Sequence, residues 1–208
     1  KVDLTFNWFE KELINKQFNL NFKEIEIGED SKSQNLLNSK EFELSTTLLK
    51  TTSKDGFYEF TADSLIYNSA KHNTILKNIE VNPLLSKTEF HRKINFQTDY
   101  ISAKTAFIEL KNIDENQWIE NKILDAEMFV LGKSRLDIFR NKRLVFNENQ
   151  RPPWPQDLLE DIKQSFVFDS VFLMPSTVKY SELLDLTDET GFVEFRNLSF
   201  KTGRLSNI

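Results

Sequence analysis

Imidazole and thiol groups set the first limit on the chemistry of this chain. Its 208 residues include two histidines, His72 and His91, and no cysteine. Disulfides, thiolate metal sites and cysteine nucleophiles are therefore excluded. His72 falls in a predicted hairpin turn and His91 at the end of a predicted short helix, so we expect both side chains to lie at the surface. We predict no catalytic residue and no metal site.

Glycine spacing excludes a second group of sites. The five glycines lie far apart in the sequence. The chain therefore has neither a glycine-rich loop that could hold a phosphate nor the G-x-S-x-G turn of a serine hydrolase. We accordingly predict no cofactor. The glycines are Gly28, Gly56, Gly132, Gly191 and Gly203.

Acidic and aromatic residues leave one enzyme class open. The 32 Asp and Glu residues permit a pair at the separation that glycoside hydrolysis requires. Trp8, Trp118 and Trp154 could stack on sugar rings, although a Trp beside a turn or after prolines more often anchors packing. No carboxylate lies in an aromatic-lined loop that would suggest a sugar subsite. A carbohydrate-active enzyme is therefore the third of our three hypotheses.

The overall charge argues against a nucleic-acid partner. Lys and Arg number 27 against 32 Asp and Glu, and both signs are scattered without a basic block. No apolar run approaches the roughly 18 residues of a membrane span. Composition alone therefore gives neither a nucleic-acid surface nor a membrane segment.

Apolar and polar residues alternate along most of the chain, as is typical of β-strands with one buried face. After Phe60 and Ala62 the apolar positions continue at Leu65, so the apolar face changes across Asp63 and Ser64. Each such change predicts a β-bulge or a strand end. The same change recurs at residues 23–24, 77–78, 127–128, 169–170 and 196–197.

The repeated bulges and the turn signals predict a mainly β fold, a curved antiparallel sheet that forms a groove and carries two or three short helices. We expect it to form a single β-rich domain over residues 1–208, or a fragment of a longer region. Turns are predicted at 54–56, 68–73 and 132–134, the last two closing hairpins. Helices are predicted after Ser86, after Asp114 and after Pro155.

Residues 139–159 interrupt the strands with a proline-rich stretch, which we interpret as a structural joint. Its prolines favour an extended segment, and Pro155 is suited to begin a short helix. The predicted joint residues are Arg151, Pro152, Pro153, Trp154, Pro155 and Leu158.

The predicted sheet has one apolar face. Two or three short helices would cover only a small part of it. An exposed apolar sheet face is an aggregation hazard unless it binds acyl chains or pairs with another module. A closed core is the structural alternative. The residues predicted to line an apolar groove are Phe18, Leu20, Phe22, Phe60, Leu76, Val81, Phe168, Val193 and Phe195.

The joint and several strand patterns resemble the AsmA-like proteins of Bacteroidetes-type bacteria. The Arg-Pro-Pro run with its following helix is the most distinctive of these motifs, and the resemblance covers roughly residues 55 to 205. The matching segments are 57–62, 79–90, 137–143, 151–159, 168–171, 178–182 and 191–198.

The resemblance implies a non-enzymatic protein of the cell envelope, held in the inner membrane by an anchor helix outside this chain and extending a β-groove into the periplasm. Larger relatives are thought to conduct phospholipid between membranes or to support outer-membrane assembly. Phospholipid or other acyl chains and neighbouring modules of the same protein are thus the expected partners. The chain is much shorter than a groove that could cross the periplasm. The second hypothesis is an envelope interaction module with a closed core and no ligand.

Overall fold

The computed structural model describes residues 17–26, 38–147, 162–184 and 189–208. These residues form one sheet of ten strands and one α-helix, α1 (Lys87–Ile94). The strands are β1 (Gln17–Glu26), β2 (Asn38–Thr52), β3 (Tyr58–Asn68), β4 (Asn73–Pro83), β5 (Asp99–Ile113), β6 (Leu124–Leu131), β7 (Ser134–Asn141), β8 (Phe166–Leu183), β9 (Thr190–Thr202) and β10 (Leu205–Ser206). The prediction of a mainly β fold with a mostly antiparallel sheet is confirmed.

The first five strands form an antiparallel meander, each paired with the next. Short polar segments make this possible. The turn at 54–56 joins β2 to β3, where Gly56 has a φ of 73° and its amide donates to the Ser53 carbonyl. A 3-10 turn at Ser69–Lys71 closes the predicted hairpin between β3 and β4, and the Asn68 side chain caps it.

The predicted hairpin turn at 132–134 is wrong. The chain does not reverse between β6 and β7, and both strands pair with β5, one after the other. Ile108 pairs with Leu131 on β6 and Thr105 pairs with Ser134 on β7, in one continuous register along β5. Gly132 lets the chain continue close to β5, since a Cβ there would lie 2.8 Å from the Phe107 ring. Polar residues after a glycine mark an interruption of the strand here, and the chain does not reverse.

β8 runs parallel to both β6 and β7, and these two are the parallel pairings among the described strands. The chain leaves β7 beside Leu183, where the Lys142 amide donates to the Leu183 carbonyl, and returns at the opposite end, where the Leu124 amide donates to the Ser165 carbonyl. A parallel pair needs such a return connection. β9 and β10 then follow β8 as the sheet edge.

The predicted changes of face are confirmed, and the structure shows that many of them are aligned. Thr47 pairs with Ser64 and Leu49 with Ala62, so Leu48 and Asp63 face each other without being matched in the ladder. Each neighbouring strand has an unmatched residue at the corresponding position. The pairing register is therefore the same before and after this position. We call this line the first irregular row; it contains Leu48, Asp63, Asn78, Ala106, Lys133 and Pro175.

A second irregular row crosses β5, β6 and β8 at Asn112, Glu127 and Asp169. From Phe168 onward the buried residues of β8 show the effect of both rows, because they are Phe168, then Val171, then Ser176, at 7%, 5% and 6% exposure. These residue numbers change from even to odd and back to even. Since side chains alternate between the two sides of a strand, the two interruptions keep the buried positions on one side of the sheet.

Asparagine supplies the backbone conformation that the irregular rows require. Asn78 and Asn112, one in each row, have φ values of 49° and 51°, and Asn197, at the register shift of β9, has a φ of 57°. Asn tolerates this left-handed region better than most residues. Asn112 also donates its side-chain amide to Glu127 on the neighbouring strand. Leu48 is the exception, with a φ of 56° in a residue type that is strained there.

Two of the predicted short helices are present. α1 begins with the predicted capping box, in which Ser86 accepts from the Glu89 amide and the Glu89 side chain accepts from the Ser86 amide. A single π-helical turn, Gln117–Asn121, follows Asp114. The helix predicted after Pro155 lies outside the described residues.

A hydrophobic core lies at one end of the sheet, around the second irregular row. The Phe168 ring packs on Phe129 and Phe166, with centroids 5.2 and 5.1 Å apart. The buried members of this cluster are Ile113, Ala126, Phe166, Phe168 and Val171.

Candidate functional site

The apolar face is built from cross-strand rows, in which each residue lies opposite the next. Phe60 is paired with Val81 on β4, and the row ends at Phe195 on β9. Directly opposed residues in a sheet project to the same side. Three of the predicted groove residues therefore lie in one line. The complete row is Thr51, Phe60, Val81, Ala103, Leu136, Val178 and Phe195.

A second apolar row lies on the other side of the first irregular row. It includes Leu76, and it extends across eight strands to Phe200. Phe18 occupies its β1 position by register, while Leu20 and Phe22 follow two and four residues along. The row is Phe18, Thr46, Leu65, Leu76, Ile108, Leu131, Leu173 and Phe200.

The accessible part of this face lies at β3 and β9. Phe60 is 39% exposed, and Val193 and Phe195 are 54% and 52% exposed. Leu76 and Val81, between them, are half-buried. Large apolar side chains open to solvent in neighbouring rows are the feature that a binding surface for an apolar ligand requires.

Phe168, by contrast, belongs to the core. It is 7% exposed and packed against the rings of Phe129 and Phe166. The predicted groove residues thus divide between an accessible face and a closed end, a division that alternation alone does not reveal.

Ion pairs cover the opposite side of the sheet. Lys104 contacts Glu80 on the adjacent strand at 2.7 Å, and hydrogen bonds from Asn82 and from Lys104 lower the pKa of Glu80. The Glu194 carboxylate accepts from Arg196 and lies 3.4 Å from Arg135; these contacts, that from Arg196 foremost, lower its pKa. Alternation therefore separates an apolar face from a charged one.

A cavity of about 930 Å³ follows the first irregular row across β2 to β8. Its lining includes the charged residues Lys50, Glu80, Lys104 and Arg135, and none of the predicted groove residues. The cavity therefore lies on the charged face. It results from the irregular row, which the sequence signals only at its two members Asp63 and Asn78.

The two histidines differ in environment. His72 lies in the β3–β4 turn, as predicted, with Nδ1 2.9 Å from both Glu115 carboxylate oxygens. The Tyr67 hydroxyl donates to the same carboxylate at 2.7 Å. These three side chains form a polar brace at the end of the sheet.

The prediction that His91 lies at the surface is wrong. It is 4% exposed, with Nδ1 2.7 Å from the Lys87 carbonyl and Nε2 3.2 Å from the Thr98 carbonyl. Its ring packs edge-on against Phe139. A residue in the last turn of a short helix is buried here because the chain after α1 folds back into β5.

The joint residues Arg151, Pro152, Pro153, Trp154, Pro155 and Leu158 lie outside the described residues. Among the residues that the structure describes, no three His, Asp or Glu side chains are arranged to hold a metal ion. Within the same residues, no helix has the length and apolar composition needed to cross a membrane.

Comparison of this chain with protein-family models, with curated proteins and with solved structures gave no match.

Proposed function

We propose that the apolar face binds acyl chains of lipids and that the chain acts as a non-enzymatic lipid-binding module. The observation that carries this proposal is the uninterrupted row from Phe60 to Phe195, whose two ends are 39% and 52% exposed. A row across six strands at about 4.8 Å per strand spans about 24 Å. An acyl chain, which occupies about 15 Å of each bilayer leaflet, fits within that length.

Burial of the acyl chain would have to offset the cost of association as well as supply the affinity. Each fully buried methylene contributes about 0.8 kcal/mol, so a micromolar complex, which needs roughly 8 kcal/mol net, requires more than about ten buried methylenes. The face offers no described charged residue in the Phe60 row, so selectivity for the head group would have to come from elsewhere.

The resemblance to AsmA-like proteins supports a location in the cell envelope, with the periplasm as the compartment and an inner-membrane anchor outside this chain. In that setting the module would guide lipid acyl chains and support outer-membrane lipid transport or assembly. Phospholipid and neighbouring modules of the same protein are the proposed partners.

The second candidate is an interaction module with a closed core. The cluster around Phe168 favours it, because that end of the face is already filled by aromatic and aliphatic side chains. This candidate predicts that the remaining apolar rows are covered by protein and take up no lipid.

Photo-crosslinking with a diazirine-bearing fatty acid tests the proposal. We expect labelled peptides from β3, β7 and β9 and reduced labelling of Phe60→Ser, whereas Ile119→Ser should be labelled like the wild type. Ile119 is 64% exposed and lies on the π-helical turn away from the row. Labelling that is absent, or spread equally over charged-face peptides, would contradict acyl-chain binding.

A further inference from the structure

The strand β9 exposes large apolar side chains on both of its sides. Val193 and Phe195 project from the apolar face, and Phe192, which is 64% exposed, alternates to the other side. β9 pairs with β8 alone, so it forms an edge of the sheet. We call residues 190–206, which comprise β9 and β10, the β9 edge.

Basic residues accompany these apolar side chains. The β9 edge carries Arg196, Lys201 and Arg204 against a single acidic residue, Glu194, in a chain of net charge −5. Glu194 is only 14% exposed and is paired with Arg196, which is 76% exposed. The accessible charge of this edge is therefore positive, opposite in sign to the chain as a whole.

Adjacent lysines extend the same surface. Lys179 on β8 lies 4.6 Å from the centre of the Phe192 ring, and Lys201 lies 4.8 Å from that of Phe172. Aromatic rings beside cations suit the boundary between lipid head groups and acyl chains, where rings enter the boundary and cations meet phosphate.

We propose that the β9 edge docks on the surface of an anionic phospholipid membrane. Charge complementarity selects this partner, since a neutral apolar partner would leave the exposed cations unmatched. Addition of another protein strand is disfavoured by the register shift near Ser176 and Leu198 and by the left-handed Asn197, because a bulged, charged edge resists pairing.

This docking goes beyond the proposed acyl-chain binding. A chain with a fully closed core would still expose Phe192, Arg196 and Lys201, so the two proposals can fail separately.

Vesicle co-sedimentation tests the docking. The protein should sediment with vesicles that contain phosphatidylglycerol, should bind pure phosphatidylcholine vesicles much more weakly, and should be released by salt. Phe192→Ser should weaken binding about tenfold, and Lys201→Gln about fivefold. Ile119→Ser, which removes an equally exposed apolar side chain elsewhere, should leave binding unchanged.

Three co-sedimentation results would overturn the docking. They are no co-sedimentation with phosphatidylglycerol vesicles, an equal loss in Ile119→Ser, and full binding by both β9-edge variants. A dimer that forms without vesicles and is lost in Phe192→Ser would assign the edge to a second copy and would also overturn it. Circular dichroism confirms folding, and Lys201→Gln keeps the test decisive if Phe192→Ser is unfolded.

Phe60→Ser separates the two proposals. It should bind vesicles like the wild type, because Phe60 lies on β3, and it should bind less fatty acid. Vesicle docking without any fatty-acid binding would reject acyl-chain binding, and it would still support docking of the β9 edge on a membrane.

Discussion

The Asn78 side chain on β4 donates a hydrogen bond of 2.7 Å to the Asp63 carboxylate on β3. The two residues face each other in the first irregular row, where neither is matched in the ladder between these strands. Asn78 has a φ of 49°, so its side chain secures the neighbouring strand while its backbone takes the left-handed conformation. This pair shows how the sheet changes face without losing register.

Substitution of Asn78 should measure that contribution. Asn78→Val should lower the free energy of unfolding by roughly 1–2 kcal/mol for the strained backbone and by about 1 kcal/mol for the lost hydrogen bond. Asn78→Gly removes only the side chain and should cost less. Urea denaturation gives both values, and equal effects of the two variants would show that φ at this position is not limiting.

Leu48 should respond in the opposite direction. Its φ is 56° and its side chain is 52% exposed, so Leu48→Asn relieves strain and exposes little apolar surface. We expect a gain of about 1 kcal/mol, seen as a higher urea midpoint. The neighbouring half-buried Leu49, changed to Asn, should destabilise the fold; a loss of stability in Leu48→Asn would contradict the account.

Gly132 is expected to tolerate no side chain. A Cβ there would lie 2.8 Å from the Phe107 ring and 3.0 Å from the Phe107 backbone nitrogen, so Gly132→Ala should cost about 1–3 kcal/mol through overpacking. Gly191→Ala is the matched control, since nothing lies within 4 Å of its Cβ position. Thermal denaturation should separate the two variants, and identical melting temperatures would show that β6 and β7 can move apart from β5.

Alternation in the sequence was enough to predict the β-fold and several of the places where the strand pairing is interrupted, among them Asp63, Asn78 and Asp169. It could not show that those places line up, because Leu48, Ala106, Lys133 and Pro175 carry no signal that separates them from ordinary strand residues. It also placed a hairpin at Gly132, since a glycine before polar residues is typical of both a turn and a strand interruption.

The sequence predicted which apolar residues belong to the candidate site. It did not predict which of them lie side by side or which are exposed. Pairing register decides that Phe60, Val81 and Phe195 share a row, and register depends on long-range packing. The same packing decides that Phe168 is buried while Phe195 is open. Burial of His91 follows from the path of the chain after α1, which no local pattern encodes.

Alkaline pH should destabilise the protein through its tyrosines. Burial raises the pKa of all four, and burial together with the hydrogen bond to Glu182 raises that of Tyr180 to about 12. Unfolded tyrosine titrates near pH 10. Since the folded-state pKa is the higher one, this stabilisation is complete below about pH 10 and is lost as the pH rises towards 12.

Ultraviolet absorbance of tyrosinate measures this directly. The native protein should show no tyrosine that titrates with a midpoint near 10, and Glu182→Gln should lower the pKa of Tyr180, because it replaces the charged acceptor of the 2.5 Å hydrogen bond with a neutral amide. A native tyrosine with an ordinary midpoint would contradict the packing described for these rings.

Native mass spectrometry of the purified protein, followed by extraction and identification of bound lipid, tests the central claim most directly. If the apolar face binds acyl chains, the wild type should carry lipid-sized adducts that are depleted in Phe60→Ser and retained in Ile119→Ser. Wild-type protein that carries no lipid, and takes none up from added fatty acid, would contradict acyl-chain binding by the row from Phe60 to Phe195.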